Sequence, residues 1–459
     1  MNHPRSRPTP PAERESPGTR LYGLVRPSMA AVVLAMAFVA GGCHAPEGPA
    51  EGDGRAGVSG DGSSAGKSVS EPDGGVDYYG RFEHGLPTSE EYFPIGLWLS
   101  SVTDEGQARH EREAGLNLYV DLTEDSNLDF LDDERQRALT SWSSPDSAGA
   151  VLGDEVDMWA GAGSGEWTGN FPGQGPICLD EKRPCGLTVQ QQLASGVEPG
   201  VMTYANYGKG VTFWFSDHEA SRFVSGPQDV VSADNYWFTD PNICAVHEGG
   251  TTLPEPRALT ASECRLPANY GWTVQRLRNL MEPRGSKPVW AFIEIGQPFQ
   301  DGTEAPPSVA QIRAAVWSSL VHGARGIVYF GHSFGGPCPT FHVLRDCGSA
   351  LLEGVSDINA EVTSMAPVLN APTIEGAVQV EGDVDATVTW HQGSLYILST
   401  AASPEPGGAR FRLDCVRDAT VNVVGENRRL TVHDGQFTDG FPDETTVHLY
   451  EIAADSCEP

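Results

Sequence analysis

Val289-Trp-Ala-Phe-Ile-Glu-Ile-Gly-Gln297 is an apolar run carrying a single carboxylate, Glu294. Its length and composition predict a parallel-sheet strand buried on both faces. An unpaired charge buried there is costly, so such a carboxylate persists only when paired, protonated or used. Gly296, Gln297 and Pro298 end the run, and that C-terminal end is where barrel enzymes gather their reactive groups. A second apolar run, Ala150-Val-Leu-Gly-Asp-Glu155, ends on carboxylates in the same way. Glu155 and Glu294 thus stand as a pair at two strand ends.

Outward from these runs, residues 90 to 370 alternate short apolar strands with helix-like stretches, the βα pattern of a parallel sheet. The strands are expected at Pro94–Leu99, Asn117–Leu122, Val151–Glu155, Val201–Tyr207, Val230–Phe238, Pro288–Ile295 and Gly326–Gly331. The helices are expected at Asp104–Ala114, Asp132–Leu139, Thr188–Ser195, Tyr270–Met281, Pro307–His322 and Ala350–Ala366. Ser308 and Gln311 make a capping box for the fifth of these, and Gly323 stops it. The stretch between Leu122 and Ala150 yields no clear strand. The pattern predicts a (β/α)8 (TIM) barrel with a degenerate third strand, over 78–372. An open doubly wound sheet is disfavoured, because no Gly-x-Gly-x-x-Gly or P-loop follows a strand. Two long insertions, 160–187 and 239–268, have the size of functional walls or lids. Past Ile374 short strands and turns replace the helical period, which predicts a small C-terminal antiparallel β-sandwich over 373–459.

The N-terminal end reads as an export signal over 1–43. Arg20 and Arg26 precede an apolar stretch, Met29 to Ala40, too short for a permanent membrane span. Ala40-Gly-Gly-Cys43 resembles a bacterial lipobox, which implies lipidation of Cys43 and anchoring to the bacterial cell envelope. The chain has nine cysteines, and removing Cys43 leaves four sequential pairs. Disulfides are expected at Cys178–Cys185, Cys244–Cys264, Cys338–Cys347 and Cys415–Cys457, in an oxidising compartment. No Cys-x2-Cys or His-Glu-x-x-His speaks for zinc. Residues 44–77 are rich in Gly, Ser, Pro, Glu and Asp and read as a flexible tether. A formal charge of -32 argues against nucleic acid as a partner.

Numbered back from the closing helix, Glu155 ends strand four and Glu294 ends strand seven. In that context Gly153-Asp-Glu-Val-Asp157 and Phe292-Ile-Glu-Ile-Gly296 resemble the (β/α)8 glycoside hydrolase clan with an acid/base Glu on strand four and a nucleophile Glu on strand seven. The resemblance covers roughly residues 90 to 370. It implies retaining hydrolysis of O-glycosidic bonds, with Glu155 protonating the leaving oxygen and Glu294 attacking the anomeric carbon. The implied partner is an oligo- or polysaccharide, and no cofactor or metal is called for. One departure is Asp154, where many members of the clan have Asn. Aromatic residues at strand ends, Trp98, Tyr204, Tyr236 and Trp237, and Trp159 and Trp167 after strand four, offer flat faces to sugar rings. Asp121, Asp154, Asn206, Asn235 and His332 are expected to bind hydroxyls.

Two other readings compete. Gly331-His-Ser-Phe-Gly335 matches the nucleophile elbow of a serine esterase, with Ser333 as nucleophile, although Gly336-Pro-Cys-Pro339 is a poor start for the required helix. A non-catalytic carbohydrate-binding surface lipoprotein would have the same barrel.

Overall fold

The computed structural model describes residues 68–131, 135–158, 186–300, 302–454 and 457. All eight barrel strands form: Ile95–Trp98, Leu118–Val120, Arg137–Thr140, Gly149–Asp154, Met202–Tyr207, Val230–Ala233, Ala291–Glu294 and Ile327–Phe330. Sequence neighbours pair in parallel from the first strand to the sixth, and the eighth lies between the seventh and the first. A parallel bridge, Val231↔Val289, joins sixth to seventh and closes the ring.

Alternation explains why the strands read as unbroken apolar runs. Trp98, Val120, Leu139, Val151, Tyr204, Val230, Phe292 and Val328 pack together in the lumen. Leu97, Tyr119, Ala138, Ala205, Val231, Ile293 and Tyr329 face the helical layer. Both faces are covered, so polar positions drop out of the pattern.

The third strand corrects the expected helix over Asp132–Leu139. Arg137–Thr140 pairs with Leu118–Val120 and begins the register to Gly149. The four residues leave no period to read, and among the described residues only turns connect this strand to the fourth. The helix Asp217–Val224, closed by a Ser216/Glu219 capping box, is likewise absent from the sequence reading. It is short, and only Ala220, Phe223 and Val224 are buried, too few for a helical stripe. The other main helices are Glu105–Glu113, Gly186–Ser195, Ala268–Leu280, Val309–Val321 and Ser349–Ser364. The sixth strand stops at Ala233, short of Phe238, because the chain turns there over the barrel mouth.

The C-terminal part is a sandwich of a seven-stranded and a three-stranded antiparallel sheet. Leu395, Ile397, Phe411, Val421, Phe441 and Tyr450 fill its core, and Cys415–Cys457 ties its end to its middle. Cys244–Cys264 and Cys338–Cys347 also form. Cys43 and Cys178–Cys185 lie outside the described residues, as do Trp159 and Trp167.

The tether reading fails for its last ten residues. Ser68–Ser70 adds an edge strand to the larger sheet by pairing with Thr373–Glu375. Tyr78 then donates its hydroxyl to the Asp229 carbonyl at 2.7 Å. Between them, Asp73 accepts two bonds from Arg278, at 2.5 and 2.9 Å. The Asp73 side chain is only 5% exposed, so it depends on that guanidinium. Arg278→Ala leaves a buried carboxylate without its partner and should cost about 3–5 kcal/mol. A urea titration checks this; a loss below about 1 kcal/mol, the value of a surface pair, would contradict it.

Candidate active site

The barrel mouth is shaped by an irregularity in the fourth strand. Val151 opposes Tyr204 and Asp154 opposes Asn206, so three steps on one strand match two on its neighbour. Gly153 absorbs the extra residue with a φ of +133°, a conformation open to glycine. The slip changes which side chain faces inward. Asp154 takes the lumen position beside Asn206, whose amide donates to it at 2.9 Å. Asn206 in turn accepts from Ser232 at 2.6 Å, and Ser232 bonds the Tyr204 hydroxyl.

Glu155 follows in a left-handed conformation, φ +45°. Its carboxylate rests against Gly208, where a Cβ would sit 2.7 Å from Oε1. Leu99 and Asp121, directly after the first and second strands, also have positive φ, +47° and +57°. Three strained non-glycine residues at strand ends on one mouth form a pattern typical of functional sites.

Glu294 ends the seventh strand as expected, but it is covered. Its Oε1 accepts from the Phe238 N–H at 2.7 Å and from the Tyr270 hydroxyl at 2.5 Å, and its Oε2 accepts from Thr239. The residue is 1% exposed. Burial raises its pKa to about 7, against the pull of Thr239, Tyr270 and Phe238.

Asp234, which the sequence reading did not single out, continues the inward face of the sixth strand beyond Ser232. Its Oδ2 accepts a 3.3 Å bond from Tyr236, whereas its Oδ1 is buried without a partner. Burial raises its carboxyl strongly, reinforced by Glu155, Asp154 and Asp157 in that order. Glu155 is raised by burial, then by Asp154 and Asp157. Asp154 keeps an exposed tip, yet enclosure by the surrounding walls is the first cause of its own rise. The Tyr236 hydroxyl feels Asp234, Glu155, Asp154 and Glu294 together. Asp234 is bonded by that phenol directly, while Glu155, Asp154 and Glu294 act on it through their charge.

Two supports hold this group. Asp157 accepts the Gly208 and Val211 N–H groups at 2.9 and 2.8 Å, knitting the fourth and fifth loops. Lys209 bridges Asp240 and Glu248, each at 2.6 Å, and fastens the insertion that Cys244–Cys264 staples. Among the described residues, no group of three or more His, Cys, Asp or Glu is arranged to hold a metal ion.

The expected aromatic rim is largely core. Trp98 and Tyr204 pack on each other and on Phe292 and Trp290 deep in the lumen. Trp237 is fully buried against Phe213 and Trp272 and donates to Thr273 at 2.9 Å. Asn235 bonds Thr212 and Thr273. These four shape the mouth and do not line it. Among the described residues of that rim, Tyr236 is half-buried. Asp121 sits half-buried at the second strand's end. His332 is buried, its Nε2 3.0 Å from the Leu99 carbonyl, and burial lowers its pKa to about 4. Its ring leans on Phe334 and Phe341, which are 40% and 63% exposed. That exposed pair, at the end of the eighth strand, is the aromatic surface the sequence reading missed.

The esterase elbow does not form. Ser333 is buried, accepts the Gln297 N–H at 3.1 Å and donates to the Gly335 carbonyl at 3.2 Å. A short antiparallel bridge to Thr340 follows it in place of a helix. A cleft of about 630 Å³ lies at the opposite end of the barrel, between Tyr78, Tyr92, Arg325 and Trp390, and none of the carboxylates of the mouth lines it.

No protein-family model and no curated protein matches this chain. Solved structures similar to it include a glycoside hydrolase family 5 protein from Bacteroides vulgatus, 13% identical over 82% of this chain and 91% of that one, with a TM-score of 0.47. An Anoxybacillus α-amylase is 10% identical over 80% and 99%, TM-score 0.42. The α-amylase from Geobacillus thermoleovorans, complexed with acarbose, is 8% identical over 79% and 98%, TM-score 0.42. With identity this low, the chemistry of the mouth rests on its own residues.

The raised carboxyl of Glu294 has a thermodynamic consequence. A folded pKa of about 7 against the ordinary 4.5 of a glutamate means that the native state holds a proton the unfolded chain releases. Its contribution to stability is full below about pH 4.5 and is lost as the pH rises through about 7. The loss amounts to at most about 3 kcal/mol. Urea midpoints should therefore fall from pH 5 to pH 8, and Glu294→Gln should flatten that slope. An unchanged slope in the variant would contradict the assignment.

Proposed function

We propose that this chain is a glycoside hydrolase that cleaves O-glycosidic bonds at the C-terminal mouth of its barrel. The observation that carries this reading is that Asp154, Glu155, Asp234 and Glu294 end or directly follow the fourth, sixth and seventh strands, at one end of a single barrel. Glycosidic cleavage requires one carboxyl that holds a proton and a second that acts as base or nucleophile. Glu155 suits the first role. Burial and its acidic neighbours keep it protonated, and it stands beside the accessible Asp154 at the pocket edge.

The resemblance of the Glu155 and Glu294 motifs to the retaining clan supports double displacement, with Glu294 as nucleophile. In the observed conformation the turn at Phe238 and Thr239 covers Glu294, so that role requires the turn to swing away. The same covering favours a second reading, a carbohydrate-binding surface protein in which Glu294 is purely structural. The export signal and Cys43 support an envelope-anchored setting for either.

Glu155→Gln should abolish release of reducing ends from a glycan panel while leaving the circular dichroism spectrum intact. The wild-type kcat/KM should fall as the pH rises through the elevated pKa of Glu155, since the general acid must carry its proton. Proton NMR of the first-formed anomer separates retention from inversion. Unaltered glycan after long incubation with the wild type would leave the binder.

The exposed Phe334 and Phe341 offer a platform for a sugar ring. Phe341→Ala should weaken glycan affinity roughly threefold to tenfold, since an aromatic contact is worth about 0.5–1.5 kcal/mol beyond its area. Surface plasmon resonance on the best glycan reads this, and equal affinity would remove the platform.

A further inference from the structure

The cleft of about 630 Å³ under the barrel is remote from the carboxylates of the mouth, yet it gathers unspent hydrogen-bond donors. Tyr92 reaches it from the segment before the first strand, Arg325 from the turn before the eighth, and Trp390 from the sandwich strand Val384–His391. The Tyr92 hydroxyl and the Trp390 Nε1–H are both buried without a partner. Native structures rarely leave such groups unpaired, so each exception asks for a cause. Arg325 donates from Nη1 to the Leu369 carbonyl and from Nη2 to Asn370 Oδ1 at 2.7 Å. Among the described residues its Nε–H has no partner, and no carboxylate forms an ion pair with it. Asp73 acts on it from further away, but Arg278 already clamps that acid at 2.5 Å and its own charge opposes the effect. Asn370 is spent as well, since its Nδ2 donates to the Glu90 and Tyr92 carbonyls, each at 2.9 Å.

This donor set restricts the occupant. An indole and a guanidinium can only donate, so the ligand must bring acceptors, and an arginine without a paired acid favours an anion. Asp77 and Glu90 stand exposed along the cleft. They weigh against a dianion such as phosphate, while water screens their effect on a single charge. Pro94, Pro288 and Pro372 supply apolar walls, and the volume falls in the range of small-molecule pockets, with room for a ring beside the charge. We infer that this cleft is a binding site for a monocarboxylate borne on a ring, whose oxygens accept from Arg325, Tyr92 and Trp390 while the ring lies against the proline walls. The site is independent of the proposed glycan cleavage, since none of its residues belongs to the mouth. An acidic sugar and an aromatic acid share this chemistry.

Isothermal titration calorimetry of the whole chain at neutral pH separates the two sources. It sets glucuronate against glucose and 4-hydroxybenzoate against 4-hydroxybenzyl alcohol, with inorganic phosphate as a further probe. At least one carboxylate should bind about tenfold or more tightly than its neutral counterpart and than phosphate, the order expected of charge-assisted hydrogen bonds. Whichever carboxylate binds names the source. Tyr92→Phe and Trp390→Phe keep the rings and delete one donor each, and each should weaken that carboxylate roughly fivefold or more. Without ligand, Tyr92→Phe should melt no lower than the wild type, because its hydroxyl has no partner to lose. Should Trp390→Phe fail to fold, Tyr92→Phe alone decides.

Binding of neither carboxylate, equal binding of the neutral ligands or of phosphate, or unaltered affinity in the folded variants overturns the proposal. A lower melting temperature of unliganded Tyr92→Phe overturns it too, by showing that the hydroxyl is already bonded within the protein.

Discussion

Closing eight parallel strands into a ring makes every second side chain point at one axis, and this period of two governs the molecule. It decides that Trp98, Tyr204 and Phe292 fill the lumen while Tyr119, Ile293 and Tyr329 face the helices. It also decides which carboxylates meet. Asp234 continues the inward face of Val230 and Ser232, and Glu294 that of Trp290 and Phe292. Only the fourth strand breaks the count, at Gly153, and that single slip exchanges Glu155 for Asp154 on the inward face.

This parity accounts for what the sequence made legible. Strands buried on both faces are apolar without interruption, so seven of them stand out with their order and with the carboxylates at their ends. Arg137–Thr140 does not, because four residues opening with an arginine carry no period and no helix follows to announce it. The edge strand Ser68–Ser70 is equally silent. It is held by backbone bonds to Thr373–Glu375, and Gly/Ser-rich composition says nothing about those.

The site was legible in its residue types and illegible in its depths. Trp98, Tyr204 and Trp237 do lie near strand ends, but a difference of one or two residues along a strand separates the rim from the core. The partners of Glu294 come from Phe238, Thr239 and Tyr270, more than twenty residues away along the chain, and no motif encodes them. Asp234 was hidden inside a strand that the sequence pattern extends to Phe238, where a lone acidic residue looks incidental. Phe334 and Phe341 were masked by a serine motif that drew the reading toward Ser333.

The energetic organisation of the mouth follows from how each acid is compensated. Asp157 is held by backbone N–H groups, Asp240 and Glu248 by Lys209, and Glu294 by two hydroxyls and an amide. Those four are finished, and their finished state rigidifies the loops around them. Asp154 has the Asn206 amide and a backbone N–H, and Asp234 has Tyr236 and a backbone N–H, and burial raises both of them and Glu155. Evolution toward stability alone would neutralise such a group or pair it, since natural proteins reach stabilising substitutions easily. Among the described residues, saturated and less saturated acids thus stand on the same rim. Asp154, Glu155 and Asp234 end or follow the fourth and sixth strands, while the Phe238–Thr239 turn covers Glu294 on the seventh.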